Sequence, residues 1–369
     1  MLAIGFWKKW LKGLTNVRIL KTTEMKGNRI IVDKKDRSAF LRRLLLLSLL
    51  IACYNMVMAQ NINVSSSSNQ LSPKVLPGNG LNHFDFFYAG EAKSRNMYIV
   101  RNGKVHWSYL DSVGRGEISD AVLMKNGDVL FAHQYGVTLI SRSKKILWNY
   151  NAPEGFETHT AEPFGKNHVV FVQNGNPAKV FVMNMKTNVV EKEFTIPFKS
   201  GTHGQVRHAR LTARGTLLIA HMDLGKVVEY DTNGKQLSSI DVPGVWSAVE
   251  LTNGNILVAS NNGFVREISP DGKKTVWNCQ LSELPGYKIT SPQLAVRLDN
   301  GNTLVNNWFN QWDSNVDLEN QPVQAVEITP KKKVVWELRA WSSPVNLGPS
   351  TTIQLLNDKL KARHFGDFK

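Results

Sequence analysis

Beyond residue 80 the chain alternates short apolar runs with polar turns, and no long stretch has apolar residues recurring every three or four positions. The runs are rich in Val, Leu, Ile, Phe and Trp, and they end at Gly, Asn, Asp or Lys. Alternation of this kind over four to eight residues is typical of β-strands joined by tight turns. The pattern therefore predicts an all-β domain over residues 81–369.

The strand pattern recurs as a unit of four strands. Successive copies cover residues 120–150, 160–196, 208–240, 247–279 and 294–338. The glycines of their first turns, Gly127, Gly165, Gly215, Gly254 and Gly301, are separated by 38, 50, 39 and 47 residues. A four-stranded unit with a period of roughly 45 residues predicts the blades of a β-propeller, because one blade alone cannot bury both of its faces.

The two ends of the repeat region predict how the ring closes. Residues 84–110 contain the second, third and fourth strands of a unit, and residues 350–358 resemble its missing first strand. Pairing these pieces gives a composite closing blade that hides the sheet edges. Five complete blades and one composite blade predict a six-bladed propeller, with seven blades as the alternative.

Four blades close on similar phrases, NGKVHW, SKKILW, DGKKTVW and KKKVVW, which end at Trp107, Trp148, Trp277 and Trp336. These phrases resemble the repeat of the quinoprotein-like (PQQ-like) β-propeller superfamily, and their period predicts that the tryptophans pack between blades. Quinone-dependent members of the superfamily carry two adjacent cysteines. The two cysteines of this chain are not adjacent, so neither PQQ nor another cofactor is predicted.

A second, weaker resemblance is to the arylsulfotransferase-like propellers, and residues 208–235 carry it. That resemblance implies a channel-facing histidine that acts as a nucleophile with a supporting arginine. His208 is the matching histidine, and Arg207 precedes it.

The N-terminal segment, residues 1–59, has the plan of an export signal. Arg42 and Arg43 precede an apolar run over residues 44–52, which is shorter than the roughly 20 residues that span a bilayer. Cleavage after Ala59 and lipidation of Cys53 both fit the residues, and a start at Met25 instead of Met1 fits as well. Residues 60–80 read as a flexible linker. We therefore expect a periplasmic or extracellular protein, or an outer-membrane lipoprotein.

Charge argues against nucleic acid as a partner. The formal net charge is +15, but residues 1–59 hold 12 Lys and Arg against 3 Asp and Glu, which leaves +6 for the remainder. A small excess spread over a domain is typical of a solvated surface. A monomer is expected, with the membrane involved only through a signal anchor or a lipid.

Loops that enter the first strand or join the second to the third surround one mouth of a propeller channel and commonly hold its site. Two candidate sets lie in these loops. The candidate catalytic residues are His159, His208 and Arg207. The candidate ligand-binding residues are Asp120, His133, His203, His221, Trp246, Asn262, Trp308 and Trp312.

These residue types suit two functions. Neutral imidazoles can bind a metal and can transfer protons near neutral pH, so metal content is left open. Trp308 and Trp312 lie among Asn, Gln and Asp in an enlarged loop over residues 306–322, which suits stacking on a sugar or aromatic ring. The sequence favours an envelope module that binds a small molecule, a glycan or a protein partner. The alternative is a channel-centred, His-dependent transferase or lyase.

Overall fold

A computed structural model describes residues 77–90, 95–110, 116–199, 201–284, 289, 291–308, 322–342 and 344–356. They form six antiparallel four-stranded sheets. Blade 1 consists of β1 (Phe86–Gly90), β2 (Asn96–Arg101), β3 (Lys104–Leu110) and the C-terminal β26 (Ser350–Leu355). Blade 2 consists of β4 (Asp120–Leu123), β5 (Val129–Ala132), β6 (Gly136–Ile140) and β7 (Ile146–Asn151). Blade 3 consists of β8 (Glu157–Phe164), β9 (His168–Asn174), β10 (Ala178–Asn184) and β11 (Val189–Ile196).

The second half of the ring repeats this plan. Blade 4 consists of β12 (Val206–Leu211), β13 (Leu217–His221), β14 (Lys226–Tyr230) and β15 (Gln236–Asp241). Blade 5 consists of β16 (Val245–Glu250), β17 (Ile256–Ser260), β18 (Phe264–Ile268) and β19 (Thr275–Gln280). Blade 6 consists of β20 (Ser291–Arg297), β21 (Thr303–Trp308), β22 (Ala325–Ile328) and β23 (Val334–Leu338). A two-stranded ribbon, β24 (Trp341–Ser342) with β25 (Val345–Asn346), and two 3-10 turns (Gly80–Asn82 and Leu281–Glu283) complete the described elements.

The composite closing blade predicted from the sequence is confirmed. Strand β26 pairs antiparallel with β1, with Phe86 opposite Leu355 at one end and Gly90 opposite Ser350 at the other. The first strand of blade 1 therefore comes from the C-terminal end of the domain and the other three from its N-terminal end. The prediction of six blades is also confirmed.

The apolar core is divided among the interfaces between blades. Buried apolar residues of the described part of the chain form six clusters, and each cluster joins two neighbouring blades. Strands β8, β9, β10, β12 and β13 have almost every position buried, because both faces of the inner strands pack against neighbours. Fourth strands such as β11 are mostly exposed.

Each fourth strand carries one large side chain that contacts the next blade. The indole Nε1 of Trp148 donates to Asn188 Oδ1 at 3.0 Å in the last turn of blade 3. Corresponding bonds run from Trp107 to the Arg142 carbonyl and from Trp277 to the Pro330 carbonyl, each in the last turn of the next blade. Trp336 of blade 6 donates instead to the Gly80 carbonyl, in the 3-10 turn that precedes blade 1. The four tryptophans therefore lie between blades, as their period in the sequence predicts.

Blades 3 and 4 use smaller side chains at the same place. Phe194 on β11 contacts Gly234 so closely that a Cβ there would approach it to 2.6 Å. Ile240 on β15 contacts Gly272 in the same way, at 2.8 Å. Both glycines have positive φ, at 79° and 72°. The turn of the next blade therefore needs glycine for two reasons: other residues rarely adopt this backbone conformation, and a Cβ would collide with the packed side chain.

Truncation before Ser350 tests the composite blade. Removing β26 takes away the first strand of blade 1 and exposes the edge of β1, so the truncated protein should aggregate or unfold without a cooperative transition. Thermal unfolding followed by circular dichroism, together with size-exclusion chromatography, measures both effects. Truncation after Leu356 is the control, since it keeps every pairing of β26 with β1. Unchanged melting and solubility without β26 would contradict the assignment.

Candidate functional site

A β-bulge near the start of the innermost strand recurs around the ring. On β8, Thr158 pairs with Gln173 and Thr160 with Val172, so His159 lies between them without a partner residue. The register shifts at the corresponding point of β12, β16, β20 and β26. The residues bulged out in this way are His159, Arg207, Trp246, Gln293 and Thr351. Bulges redirect a side chain locally, and they are common beside functional sites.

Blade 2 reaches the same position without a bulge. Asp120 is the first paired residue of β4, opposite Ala132, and Ser119 precedes it. By register, Ser119 corresponds to His159 of blade 3. We call these six positions the bulge ring: Thr351, Ser119, His159, Arg207, Trp246 and Gln293 of blades 1 to 6.

Neighbouring side chains of the bulge ring contact one another from blade 2 to blade 5. The Ser119 hydroxyl lies 2.9 Å from Nδ1 of His159, and Nη1 of Arg207 lies 3.1 Å from the same nitrogen. The guanidinium carbon of Arg207 lies 5.1 Å from the centroid of the Trp246 ring, within the range of a cation–π contact. Trp246 in turn stacks with Trp308 of blade 6, with ring centroids 6.2 Å apart and planes inclined by 25°.

Two carboxylates support this ring, and both precede a ring residue by two positions. Glu117 accepts hydrogen bonds from the Ser119 hydroxyl and from Nη1 of Arg207, and it lies 3.0 Å from Nδ1 of His159. Glu157 lies on the other side of the same imidazole, with Oε2 at 2.8 Å from Nε2 of His159. The histidine is therefore held between two acidic groups.

Glu157 also gathers two further donors. Its Oε2 lies 2.8 Å from Nδ1 of His203, and its Oε1 accepts a bond of 2.9 Å from the amide of Gln134. Burial alone would raise the pKa of Glu157, but hydrogen bonds from His159, His203 and Gln134 outweigh it and hold the pKa well below its usual range. Glu157 is consequently an anion at neutral pH. Nε2 of His159 bonds to that anion, while Nδ1 lies between the Glu117 carboxylate and the Arg207 guanidinium.

Exposure separates an outer from an inner part of the site. The His203 side chain is 54% exposed and that of Glu157 is 15% exposed. His159 has no exposed surface, and Ser119, Arg207 and Trp246 are also buried. A ligand arriving from solvent therefore meets His203 and Glu157 first.

His208 belongs to a second, interior cluster. Asp120 receives two hydrogen bonds from Arg210, 2.7 and 2.8 Å long, and a third from the Thr160 hydroxyl. Arg210 also lies 3.2 Å from Nδ1 of His208 and donates to the Thr160 hydroxyl and the Ala209 carbonyl. Residues of blades 2, 3 and 4 are joined in this way beneath the bulge ring, and all five are buried.

The charges of this second cluster follow from burial and pairing. Burial alone would raise the pKa of Asp120, but the Arg210 guanidinium outweighs it and holds that pKa well below its usual range. Burial lowers the pKa of His208 to about 4, so the imidazole is neutral. The cluster is a paired structural network that ties three blades together.

The remaining predicted residues are spread over the same end of the propeller. His221 is buried with Nε2 at 3.2 Å from the Tyr230 hydroxyl, and burial lowers its pKa to about 4. His133 lies 3.1 Å from the Thr138 hydroxyl. Asn262 is exposed and donates to the Pro243 carbonyl. Trp312 and Cys53 lie outside the described residues.

Three groups of the site have the composition of a metal site. The nearest ligand atoms of Glu117, His159 and His203 lie within 4.8 Å of one another. Arg207 already donates to the carboxylate of Glu117 and to Nδ1 of His159. A guanidinium thus holds two of the three groups, and this arrangement favours an ion-paired polar site over metal ligation.

Sequence reasoning missed four residues that complete the site: Ser119, Glu117, Glu157 and Gln293. A signal for them exists in the repeat. An alanine follows the ring residue by two positions in five blades, at Ala121, Ala161, Ala209, Ala248 and Ala295. Aligning the copies on this alanine places Ser119 with His159, and Glu117 with Glu157.

Comparisons with known proteins support the fold. No protein-family model and no curated protein matches the chain. A protein of unknown function from Bacteroides caccae is 25% identical, with a TM-score of 0.64 over 74% of this chain and 100% of that chain. A streptogramin B lyase is 12% identical, with a TM-score of 0.49 over 75% of this chain and 88% of that chain. The inactive virginiamycin B lyase of Staphylococcus aureus with quinupristin is also 12% identical, with a TM-score of 0.48 over 72% and 88%.

The two buried, neutral histidines should make stability depend on pH. An unfolded histidine has a pKa near 6.5, whereas His208 and His221 have about 4 in the fold. Between these values the unfolded chain binds more protons, so the free energy of unfolding should fall as pH falls, by up to about 1.4 kcal/mol per pH unit for each histidine. Urea unfolding of the protein and of His221→Gln, from about pH 7 to about pH 5, measures the share of His221. A constant difference in stability between the two proteins over this range would contradict the prediction.

Proposed function

We propose that this protein is an exported β-propeller that binds a ligand at the channel mouth formed by the bulge ring. One observation carries the proposal. An unbroken series of polar and aromatic contacts leads from the exposed His203 through Glu157 and His159 to Arg207 and Trp246. A structural ion pair would not need an aromatic pair and an exposed imidazole at its two ends.

The geometry supports a division of roles within the site. His203 and the ionised Glu157 form the outer edge, where they exchange hydrogen bonds with an incoming ligand. Trp308 is half-buried and is the aromatic group that a ligand ring can meet, with the buried Trp246 stacked against it. Arg207 and Glu117 neutralise each other beneath it, so the interior of the site places no net charge against the ligand.

The class of partner follows from these groups. A small molecule, a glycan or an exposed segment of a protein can supply a ring and hydrogen-bonding groups, and the small net charge outside the N-terminal segment gives no reason to expect nucleic acid.

We propose that the protein acts as a monomer. The resemblance to quinoprotein-like propellers is part of this proposal and concerns the phrases that close the blades.

Export is proposed from the N-terminal segment, which lies outside the described residues. The described residues contain no helix of the length and apolarity that a membrane crossing requires. The basic and apolar plan of residues 1–59 supports a periplasmic or extracellular protein, or a lipoprotein anchored through Cys53.

A second candidate function is an enzyme that uses His159. Its support is that the Ser119 hydroxyl lies 2.9 Å from Nδ1 of His159 and that Nε2 of His159 bonds to Glu157, which resembles a nucleophile, a base and an orienting carboxylate. The Ser119 proton points to Glu117 in this structure and would have to turn toward His159. Both Ser119 and His159 are buried, so catalysis would require the site to open. His208, the histidine matched to arylsulfotransferase-like propellers, is bonded to Arg210 in the interior, and a transferase or lyase would rely on it less than on His159.

Substitution of the exposed edge tests the binding site. His203→Ala removes a hydrogen-bonding group that contributes little to the core, so stability should change by less than about 0.5 kcal/mol. The binding free energy of any ligand that contacts the site should become weaker by about 1–3 kcal/mol. A thermal-shift screen of sugars, peptides and metabolites identifies the ligand, and calorimetry then gives the affinity of each variant.

The matched control is His168→Ala. His168 is a partly exposed histidine of blade 3 that is also paired with a glutamate, with Nε2 at 3.1 Å from Glu191, and it lies at the opposite end of the strands. Equal affinity of the protein, His203→Ala and His168→Ala for the identified ligand would exclude this mouth as the site.

Mass spectrometry of protein recovered from its native cells tests export. The N-terminus should be Gln60 after removal of a signal peptide, or a diacylated Cys53 with a corresponding increase in mass. Recovery from the envelope or the medium is expected in either case. Intact protein that starts at Met1 or Met25 and is recovered from the cytoplasm would refute export.

A further inference from the structure

The segment that leads into the fourth strand is basic in every blade. We call these six segments the basic rim: residues 102–104, 141–145, 185–188, 231–235, 269–274 and 329–333. Together they hold 11 Lys and Arg against 2 Asp, and all eleven basic residues are exposed. The chain after residue 59 has an excess of only +6, so its positive charge is concentrated in the basic rim and the remainder is net negative.

Strand direction places the basic rim at one end of the sheets. The first strand of each blade leads away from the bulge ring, the second leads back, and the third leads away again. The turn into the fourth strand is therefore opposite to the bulge ring in all six blades. At the mouth end, the described connections between strands hold three basic residues against four acidic ones, so the two ends differ in charge.

Few side chains of the basic rim are neutralised by an acidic neighbour. Lys273 lies 3.8 Å from Asp271, and Lys332 lies 3.3 Å from Glu283. The other nine basic residues have no acidic partner within the described part of the chain. Asp231 and Asp271 accept hydrogen bonds from the backbone of their own turns, so they shape the turns that present the lysines.

Exposed aliphatic side chains follow the same segments. Nine large apolar side chains are exposed among the described residues, and seven of them lie within two residues of the end of a basic segment. These seven are Val105, Ile146, Leu147, Val189, Val190, Leu237 and Val276, which are 39% to 57% exposed. The combination occurs in blades 1 to 5, whereas exposed apolar residues that merely decorate a surface are scattered singly.

Lysines next to aliphatic side chains suit one kind of surface. A bilayer of anionic lipids offers phosphate groups to the lysines and, just beneath them, an apolar layer to the aliphatic groups. Nucleic acid offers the charge without the apolar layer. A second copy of this chain would bring two basic surfaces together, which is unfavourable.

We propose that the basic rim and the aliphatic residues that follow it form a docking surface for a bilayer of anionic phospholipid. The lysines contact the headgroups, and the aliphatic side chains enter the interface. This surface lies at the other end of the sheets from the proposed ligand site, so both can be occupied together.

Hydrogen exchange of the full chain tests where the contact lies. Vesicles of phosphatidylglycerol and phosphatidylethanolamine should slow exchange in residues 141–147 and 269–276, and should leave the mouth turns at 222–225 and 261–263 unchanged. Vesicles of phosphatidylcholine should change neither set. No protection of the basic rim by the anionic vesicles, or equal protection by phosphatidylcholine, would overturn the proposal.

Paired charge variants test the lysines by vesicle co-sedimentation. Each lysine near an anionic surface contributes about fivefold to affinity, so Lys144→Gln with Lys145→Gln should weaken binding by roughly tenfold or more. The matched control is Lys199→Gln with Lys226→Gln, which removes two charges at the mouth end and should change little. Equal affinity of the two double variants would overturn the docking surface. Self-association of the first variant with unchanged vesicle affinity would limit its lysines to keeping exposed strand edges apart.

A matched pair of apolar variants tests the aliphatic groups. Ile146 is 57% exposed at the rim end of its fourth strand, and Leu110 is 58% exposed at the mouth end of another. Ile146→Ser should weaken vesicle binding by about threefold, since it removes apolar area from the interface, and Leu110→Ser should not. If duplex DNA protects the basic rim as strongly as vesicles do and Ile146→Ser binds vesicles normally, the surface recognises polyanions and the bilayer is wrong.

Discussion

The structure depends on apolar contact between neighbouring blades. No blade has a core of its own among the described residues, because each of the six buried clusters draws residues from two sheets. The large side chain on every fourth strand extends this contact to the rim, where it meets the last turn of the next blade or, for Trp336, the 3-10 turn that precedes blade 1. A blade is stable only between two others, so closure of the ring is a condition for folding and not a late addition to it.

The same geometry explains why the polar groups are found where they are. Inner strands are covered on both faces by neighbouring blades, so a polar side chain there is either paired inside the stack, as in the Asp120–Arg210 cluster, or lies where the strand begins and the sheet is irregular. The bulge supplies that irregularity at His159, Arg207, Trp246, Gln293 and Thr351. One extra residue in five inner strands, together with Ser119 at the start of β4, turns a structural repeat into a ring of six different side chains.

Much of the fold could be predicted from the sequence because it follows from periodic features. Turn glycines, alternating apolar residues and closing tryptophans each recur with the blade, and residues 350–358 supplied the missing first strand. The site was harder to predict, since a bulge shifts the register by one residue and leaves no apolar signature. His159, Arg207 and Trp246 were identified as candidates together with His208, whose side chain lies one residue further and joins the Asp120–Arg210 pair below the ring. Glu117 and Glu157 precede the ring and were missed, because single acidic residues at strand starts resemble ordinary solvent-facing positions.

Composite pairing in blade 1 has a mechanical consequence. Asp85 and Leu356, where the described chain enters and leaves blade 1, are joined by a backbone hydrogen bond of 2.8 Å. They lie at the Phe86–Leu355 end of the strand pair, while the bulge lies at the Gly90–Ser350 end, about 15–20 Å away along the strand. The chain therefore enters β1 and leaves β26 at the same end of the strand pair, away from the bulge. A force that pulled Asp85 and Leu356 apart would open the β26–β1 pair one hydrogen bond at a time, starting at Phe86 and Leu355, instead of shearing the whole pair at once.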